Sequence, residues 1–367
     1  MMVNMSRSVF RAGNPALVII FSVISILTTT ECSKNEDKTD APLTEKKILK
    51  ETALFPVGAA VSVTHLKEEA FSTTFKENFS QLTAEYEMKM NSVWTSLNLY
   101  NWTNADYLVN YAVLNNMKIH GHALLWYQSF PEWFKTAAYD SLNFENSVKT
   151  YIQTFVGRYK GKISSWDVAN EIFADDGSLR VETIVYKTFK DPVAFYGLCF
   201  QYARLSDPDV KLFYNDYNLV LNNSKRSSAI KMVERFRKEG YPIDGIGEQF
   251  HIVVGTSLTT ITNGLTDLVG TGLLIHFSEL DIKVNKNKSD SYVFTDADQQ
   301  TQSDMYSSIV KLFETMPQSQ KYAVTTWGVT DKYSWLLSFW HPKEYPLLFD
   351  SNYNRKKAYY GFISGLK

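Results

Sequence analysis

Eight short apolar runs rich in β-prone residues recur along this chain, at 55–61, 81–87, 118–126, 164–170, 211–216, 245–251, 274–280 and 322–328. Between them lie segments of helical character, among them 104–116, 144–159, 194–205, 225–238 and 301–314. In the first of these, Ala105, Leu108, Val109, Ala112 and Val113 recur at the spacing of one helix face. A strand followed by a helix, repeated, builds a parallel sheet, because each crossover returns the chain to the same edge before the next strand. Eight repeats predict one α/β domain, a (β/α)₈ barrel. The competing open sheet would want a Gly-rich phosphate turn after its first strand. Here that position reads Ser62-Val63-Thr64-His65. No internal repeat, low-complexity block or second domain is visible.

The barrel is expected over 51–367. Ahead of it, Arg7 and Arg11 precede an apolar run at 16–27 that is too short to span a bilayer comfortably. Residues 1–32 therefore read as a signal peptide. Cys32, just after that core, is a candidate lipidation site of the lipoprotein type and would tether the protein to a membrane. Glu31 fits this poorly, since small residues are expected there, and a cleaved signal with an incidental Cys is the alternative. Residues 33–50 are polar and charged and read as a flexible tether. The expected location is outside the cytoplasm, as a secreted, periplasmic or cell-surface protein.

Of the 2 Cys, Cys199 lies in an apolar helical stretch and reads as a small buried residue. No Cys/His cluster has zinc spacing, so no metal or other cofactor is expected. The net charge of −1 offers no electrostatic argument for nucleic acid. A monomer is expected.

Polar residues gather where the strand candidates end. Glu85 and Lys89 follow the second, and His122 and Trp126 end the third. Asn170 and Glu171 end the fourth, and Asn215, Asp216 and Tyr217 the fifth. Gln249 and His251 end the sixth, Glu279 and Asp281 the seventh, and Trp327 the eighth. In a barrel of parallel strands these ends share one face, the catalytic mouth. Two carboxylates meeting there, Glu171 and Glu279, can cleave a glycosidic bond, one giving a proton and the other attacking carbon. Aromatics make up 14% of the chain, with 8 Trp and 22 Tyr. That suits either a large core or a site that stacks flat rings on sugars. Taken singly, Glu171 reads equally well as a salt-bridge partner, His251 as a packed histidine and Trp126 as core.

Six motifs in order resemble the endo-xylanases of glycoside hydrolase family 10. They are Trp-Asp-Val-Ala-Asn-Glu (166–171), Asp-Gly-Ser-Leu-Arg (176–180), Tyr-Asn-Asp-Tyr-Asn (214–218), Glu-Leu-Asp-Ile (279–282), Trp-Gly-Val-Thr-Asp (327–331) and Leu-Leu-Phe-Asp (347–350). The resemblance runs from about residue 55 to 362. It implies a (β/α)₈ barrel and retaining hydrolysis of β-1,4-linked xylose polymers, with Glu171 as general acid/base and Glu279 as nucleophile. His251 and Asp281 would hold Glu279, and Asn170 would bind the sugar 2-OH. Glu171 would need a raised pKa to start protonated. Trp327 and Trp335 would wall the site, Trp126 would floor it, and Glu85, His122 and Lys89 would bind the glycon side. Tyr217 and Gln249 would flank the cleavage point.

The chain departs from this family's usual pattern at Tyr86, where Asn is common, and at Ser129, where Gln is common. His120 also stands where Arg is frequent. A phenol cannot reproduce a carboxamide's paired donor and acceptor. An altered second glycon subsite is therefore expected, for a decorated or mixed-linkage xylan or another β-glycan; neutral drift with rescue by Gln128 is the plainer reading. A non-catalytic glycan-binding barrel on a cell surface is the rival from another class, and the intact carboxylate pair argues against it.

Overall fold

The computed structural model describes residues 47–137 and 140–366. The proposed signal peptide, Cys32 and most of the tether lie outside the described residues. Eight strands form the barrel: β1 Val57–Val61, β2 Gln81–Ala84, β3 Lys118–Gly121, β4 Ser165–Asn170, β5 Lys211–Asp216, β6 Gly245–Glu248, β7 Leu274–Lys283 and β8 Lys321–Thr326. Each pairs in parallel with the next, and β8 pairs back onto β1 through Val57–Val324, Gly58–Thr325 and Ala59–Thr326. Closure leaves the barrel without an exposed edge. Every residue of β1, β2, β4 and β6 is buried. That two-sided burial is why these strands read as continuous apolar runs rather than alternating ones.

A major helix follows each strand: Glu69–Asn78, Thr103–Leu114, Ser141–Arg158, Pro192–Ser206, Asn223–Glu239, Leu258–Gly270, Asp296–Thr315 and Lys357–Gly365. Their starts are written locally. Asp140 accepts from Asn143 N at 2.7 Å and opens Ser141–Arg158, which buries Phe144, Val148, Tyr151, Ile152 and Phe155. Thr295 and Asp298 form a reciprocal capping box. That box starts the seventh helix five residues before the periodicity at 301–314 suggested.

Three expected boundaries are corrected. The tether was drawn to residue 50, but Leu49 is fully buried in the core, and Tyr359 Oη donates to the Lys47 carbonyl at 3.2 Å. One buried leucine in a charged run has no period to betray it. The runs at 118–126 and 245–251 are also not single strands. The first resumes as Leu125–Trp126, pairing Trp126 with Asn170. The second resumes as His251–Val253, pairing His251 with Asp281. These two short returns carry site residues over the barrel mouth.

Candidate active site

At the carboxyl ends of the strands lies a cleft of about 620 Å³. Glu171 and Glu279 line it with Glu85, Tyr86, Lys89, His122, Trp126, Asn170, Tyr217, Gln249, His251, Trp327 and Trp335. Eight strands converge on one end of the barrel, so side chains far apart in sequence meet there.

Glu171 sits just past β4 with φ of 55°. A non-glycine residue held there costs on the order of 1–3 kcal/mol and persists only when its surroundings fix it. Both of its backbone groups are bound: its N–H donates to the Asn215 carbonyl at 2.9 Å, and its carbonyl accepts from Arg180 Nε at 2.8 Å. Its carboxyl accepts from Trp126 Nε1 at 3.0 Å, Gln249 Nε2 at 3.0 Å and Asn170 Nδ2 at 3.3 Å.

Glu279 is 4% exposed. It accepts from Asn215 Nδ2 at 2.7 Å and lies 3.2 Å from His251 Nε2. His251 Nδ1 faces Asp281 Oδ2 at 2.9 Å, and Trp335 Nε1 donates to the same oxygen at 2.8 Å. Burial disfavours the imidazolium, but the Asp281 charge and the hydrogen bonds to Asp281 and Glu279 outweigh it, raising the His251 pKa to about 10. At neutral pH both ring nitrogens therefore donate. Asp281 does not line the cleft; it stands behind and orients the ring.

An amide relay joins the two carboxyls. Asn170 donates to Glu171, and its Oδ1 accepts from Asn215 Nδ2 at 2.9 Å, the nitrogen that also donates to Glu279. Ser278 Oγ fixes the other end of Asn215 at 2.6 Å. Gly247 leaves the room: a Cβ there would stand 2.2 Å from Asn215 Oδ1. Asn215 was visible at a strand end, but its bond to Glu279 was not.

Beside the relay, Lys225 and Asp216 form a fully buried pair at 2.7 Å. Lys225 Nζ also lies 3.2 Å from the Tyr217 ring centre, and Arg180 Nη2 donates to the Tyr217 hydroxyl at 2.8 Å. Deeper, Asp167 Oδ2 meets His120 Nε2 and His122 Nδ1, each at 2.8 Å. Burial opposes charge on Asp167, but the two imidazoles outweigh it and hold this carboxyl below the usual range. Asp167 thereby fixes the ring of His122 at the cleft floor.

On the opposite wall, Lys89 lies between the rings of Tyr86 and Trp126, 4.9 Å and 4.6 Å from their centres. Burial pushes Glu85 up to about 7, against the Tyr86 hydroxyl and the Lys89 charge.

A sequence profile described as Glycosyl hydrolase family 10 matches residues 46–364. The chain belongs to glycosyl hydrolase family 10. It is 35% identical over 342 residues to the endo-beta-1,4-xylanase Xyn10C of Cellvibrio japonicus, covering 85% of this chain and 56% of that protein. It is 33% identical over 333 residues to the endo-1,4-beta-xylanase C of Paenibacillus barcinonensis, covering 84% of this chain and 30% of that protein. The chain thus spans about half, or less, of the length of these two relatives. Native xylanase10C from Cellvibrio japonicus superposes with a TM-score of 0.83 at 35% identity, covering 87% of this chain and 72% of that one. A Glu-to-Ala mutant of that xylanase in complex with xylopentaose gives 0.82, with 87% and 68% covered.

Within this family 10 site, one expected residue is displaced. Ser129 was placed in the glycon subsite, but it is 1% exposed, donates to the Trp126 carbonyl at 3.1 Å and does not line the cleft. Its hydroxyl is too short to leave the turn that it closes. Gln128 lines the cleft instead and donates to Tyr127 Oη at 2.7 Å. Tyr86 does face the cleft, with 51% of its surface exposed. Tyr127, Asn218, Lys283 and Phe339 line it too, without having been expected there.

Proposed function

We propose that this protein is a retaining endo-β-1,4-xylanase, with Glu171 as acid/base and Glu279 as nucleophile. The observation that carries this is that the carboxyls of Glu171 and Glu279, from the ends of β4 and β7, line one cleft and are joined through Asn170 and Asn215. Glu279, the carboxyl placed to attack, meets the His251 imidazole at 3.2 Å and the Asn215 amide at 2.7 Å. Glu171 is held from three sides at the open cleft, with its backbone locked. In the first step Glu171 protonates the glycosidic oxygen as the Glu279 carboxylate attacks the anomeric carbon. The C–O bond breaks, the aglycon leaves as an alcohol, and a glycosyl ester remains on Glu279. In the second, Glu171 takes a proton from water, whose oxygen attacks the same carbon and frees Glu279. Two inversions give net retention. The xylan substrate is supported by relatives named as xylanases and by one of them solved with xylopentaose.

Reducing-end release from β-1,4-xylan, decorated xylan, mixed-linkage xylan and β-glucan, followed by NMR of the first product, tests this. Xylan cleavage with the β-anomer appearing first is expected. The α-anomer first means inversion, and binding to all four polymers without cleavage means a glycan-binding barrel.

The exposed ring of Tyr86 favours a second reading of the same site, in which the natural chain is decorated or mixed in linkage. Export rests on the sequence pattern of residues 1–32, with Cys32 as the lipid-bearing residue. Metabolic lipid labelling that disappears in Cys32→Ala would support the tether; absence of label in the unaltered protein means simple secretion.

A further inference from the structure

Beyond the carboxylates, β7 continues to Lys283, four residues past Glu279. Alternation puts Glu279, Asp281 and Lys283 on one side of the strand, so Lys283 lies roughly 13 Å further along the same wall. It lines the cleft. The chain then carries Lys286 and Lys288, both exposed. None of these three lysines forms an ion pair among the described residues, although Lys283 Nζ reaches the His251 carbonyl at 3.4 Å. Nearby acids are engaged elsewhere. Asp281 holds His251 and Trp335, Glu344 accepts from the backbone of Val284, Asn285 and Tyr345, and Asp290 faces His341 at 3.2 Å.

Two of the lysines converge on one ring. Lys283 Nζ lies 5.1 Å and Lys288 Nζ 3.9 Å from the centre of Trp340, whose Nε1 donates to the Asn285 carbonyl at 3.0 Å. Next to Trp340, Phe339 stacks on Trp335 at 4.6 Å and 26° and keeps 67% of its surface exposed at the cleft rim. Stacked on Trp335, it forms a contiguous aromatic patch at the cleft rim, the kind of exposed apolar surface that serves as a contact face. Here it continues the wall formed by Trp335. The rim therefore offers an apolar stacking face and, next to it, two ammonium groups that share the Trp340 ring and form no ion pair among the described residues.

We propose that this rim is a binding site for a carboxylate-bearing side group of the polysaccharide, a uronic-acid substituent on the xylan chain. This rests on the xylanase reading and adds the decoration to it. The main chain enters along Trp335 and Phe339, and the uronate carboxyl meets Lys283 and Lys288. A neutral branch gains the stacking but not the ion pairs. A free anion lacks the stacking, so the site selects charge and ring together.

The test compares a uronate-bearing xylan with the same polymer after its carboxyls have been reduced to alcohols. For the unaltered enzyme at low salt, kcat/KM should favour the charged polymer by about fivefold, the worth of one or two exposed ion pairs. That preference should fade at about 1 M salt, where the screening length falls to about 3 Å. Lys288→Met, outside the cleft lining, should weaken it while leaving linear xylan hydrolysis unchanged; Lys283→Met with Lys288→Met should abolish it, read as the ratio of the two polymers within that variant. Equal rates on both polymers, or a preference that survives in the double variant, would overturn the proposal. If neither polymer is cleaved, the xylanase reading fails separately, and affinity electrophoresis on the two polymers decides. Stronger retention on the charged one still supports the site, and equal retention removes it.

Discussion

Asn215 Nδ2 donates to Glu279 Oε1 at 2.7 Å and to Asn170 Oδ1 at 2.9 Å, so one amide on β5 ties the proposed nucleophile to the residue beside the proposed acid. A hydrogen bond to a charged group is worth about 1.5–3 kcal/mol. Asn215→Ala should therefore lower kcat by about 10- to 100-fold with little change in KM. Gly247→Ala, whose new Cβ would press on Asn215 Oδ1, should act in the same direction while the protein still folds. Steady-state kinetics on xylan check both, and a kcat within threefold of the parent for Asn215→Ala would show the relay to be structural only.

Glu279→Ala should remove roughly four or more decades of turnover, because no covalent intermediate can form. Glu171→Ala should spare activated aryl glycosides, whose leaving groups need no proton, far more than xylan. Kinetics on both substrate types decide it. Equal losses would take the acid role from Glu171.

His251 gives a pH prediction. Its pKa is raised from 6.5 to about 10 in the folded protein. The folded state thus holds this proton more tightly than the unfolded chain. The stabilisation is fully present below about pH 6.5 and is lost as pH rises toward 10, at up to about 1.4 kcal/mol per pH unit. Urea unfolding between pH 6 and 10 should show this fall, and His251→Gln should flatten it. An unchanged slope in that variant would place the titration on another group.

Tyr86 and Ser129 no longer form a pair in the cleft. Tyr86→Asn alone should raise kcat/KM on short linear xylo-oligosaccharides by about tenfold, by opening the subsite and restoring an amide. The same change should lower kcat/KM on the natural decorated chain. Ser129→Gln should add nothing to binding and should lower Tm, because a longer polar side chain would enter a buried turn. A rise in oligosaccharide activity with Ser129→Gln but not with Tyr86→Asn would reverse this assignment.

The strands and their order were legible because burial on both faces writes continuous apolar runs, and closure of eight such units leaves little topological choice. The carboxylates, His251 and Trp327 were legible because the catalytic mouth collects strand ends, and a strand end is a local feature; Trp335, beyond the last strand, came only through the family resemblance. The first turn of the seventh helix was equally local, in the Thr295–Asp298 box. What the sequence could not state is which neighbours touch. The strand returns at Leu125–Trp126 and His251–Val253 depend on register across strands, and that register brings Trp126 to Asn170 and His251 to Asp281. Nor could it show that the hydroxyl of Ser129 turns inward to the backbone while Gln128 faces the cleft. The convergence of Lys283 and Lys288 on Trp340 joins residues more than fifty positions apart. Residue type and period are properties of the chain. Contact between distant side chains exists only once the barrel closes, because packing and register place them together.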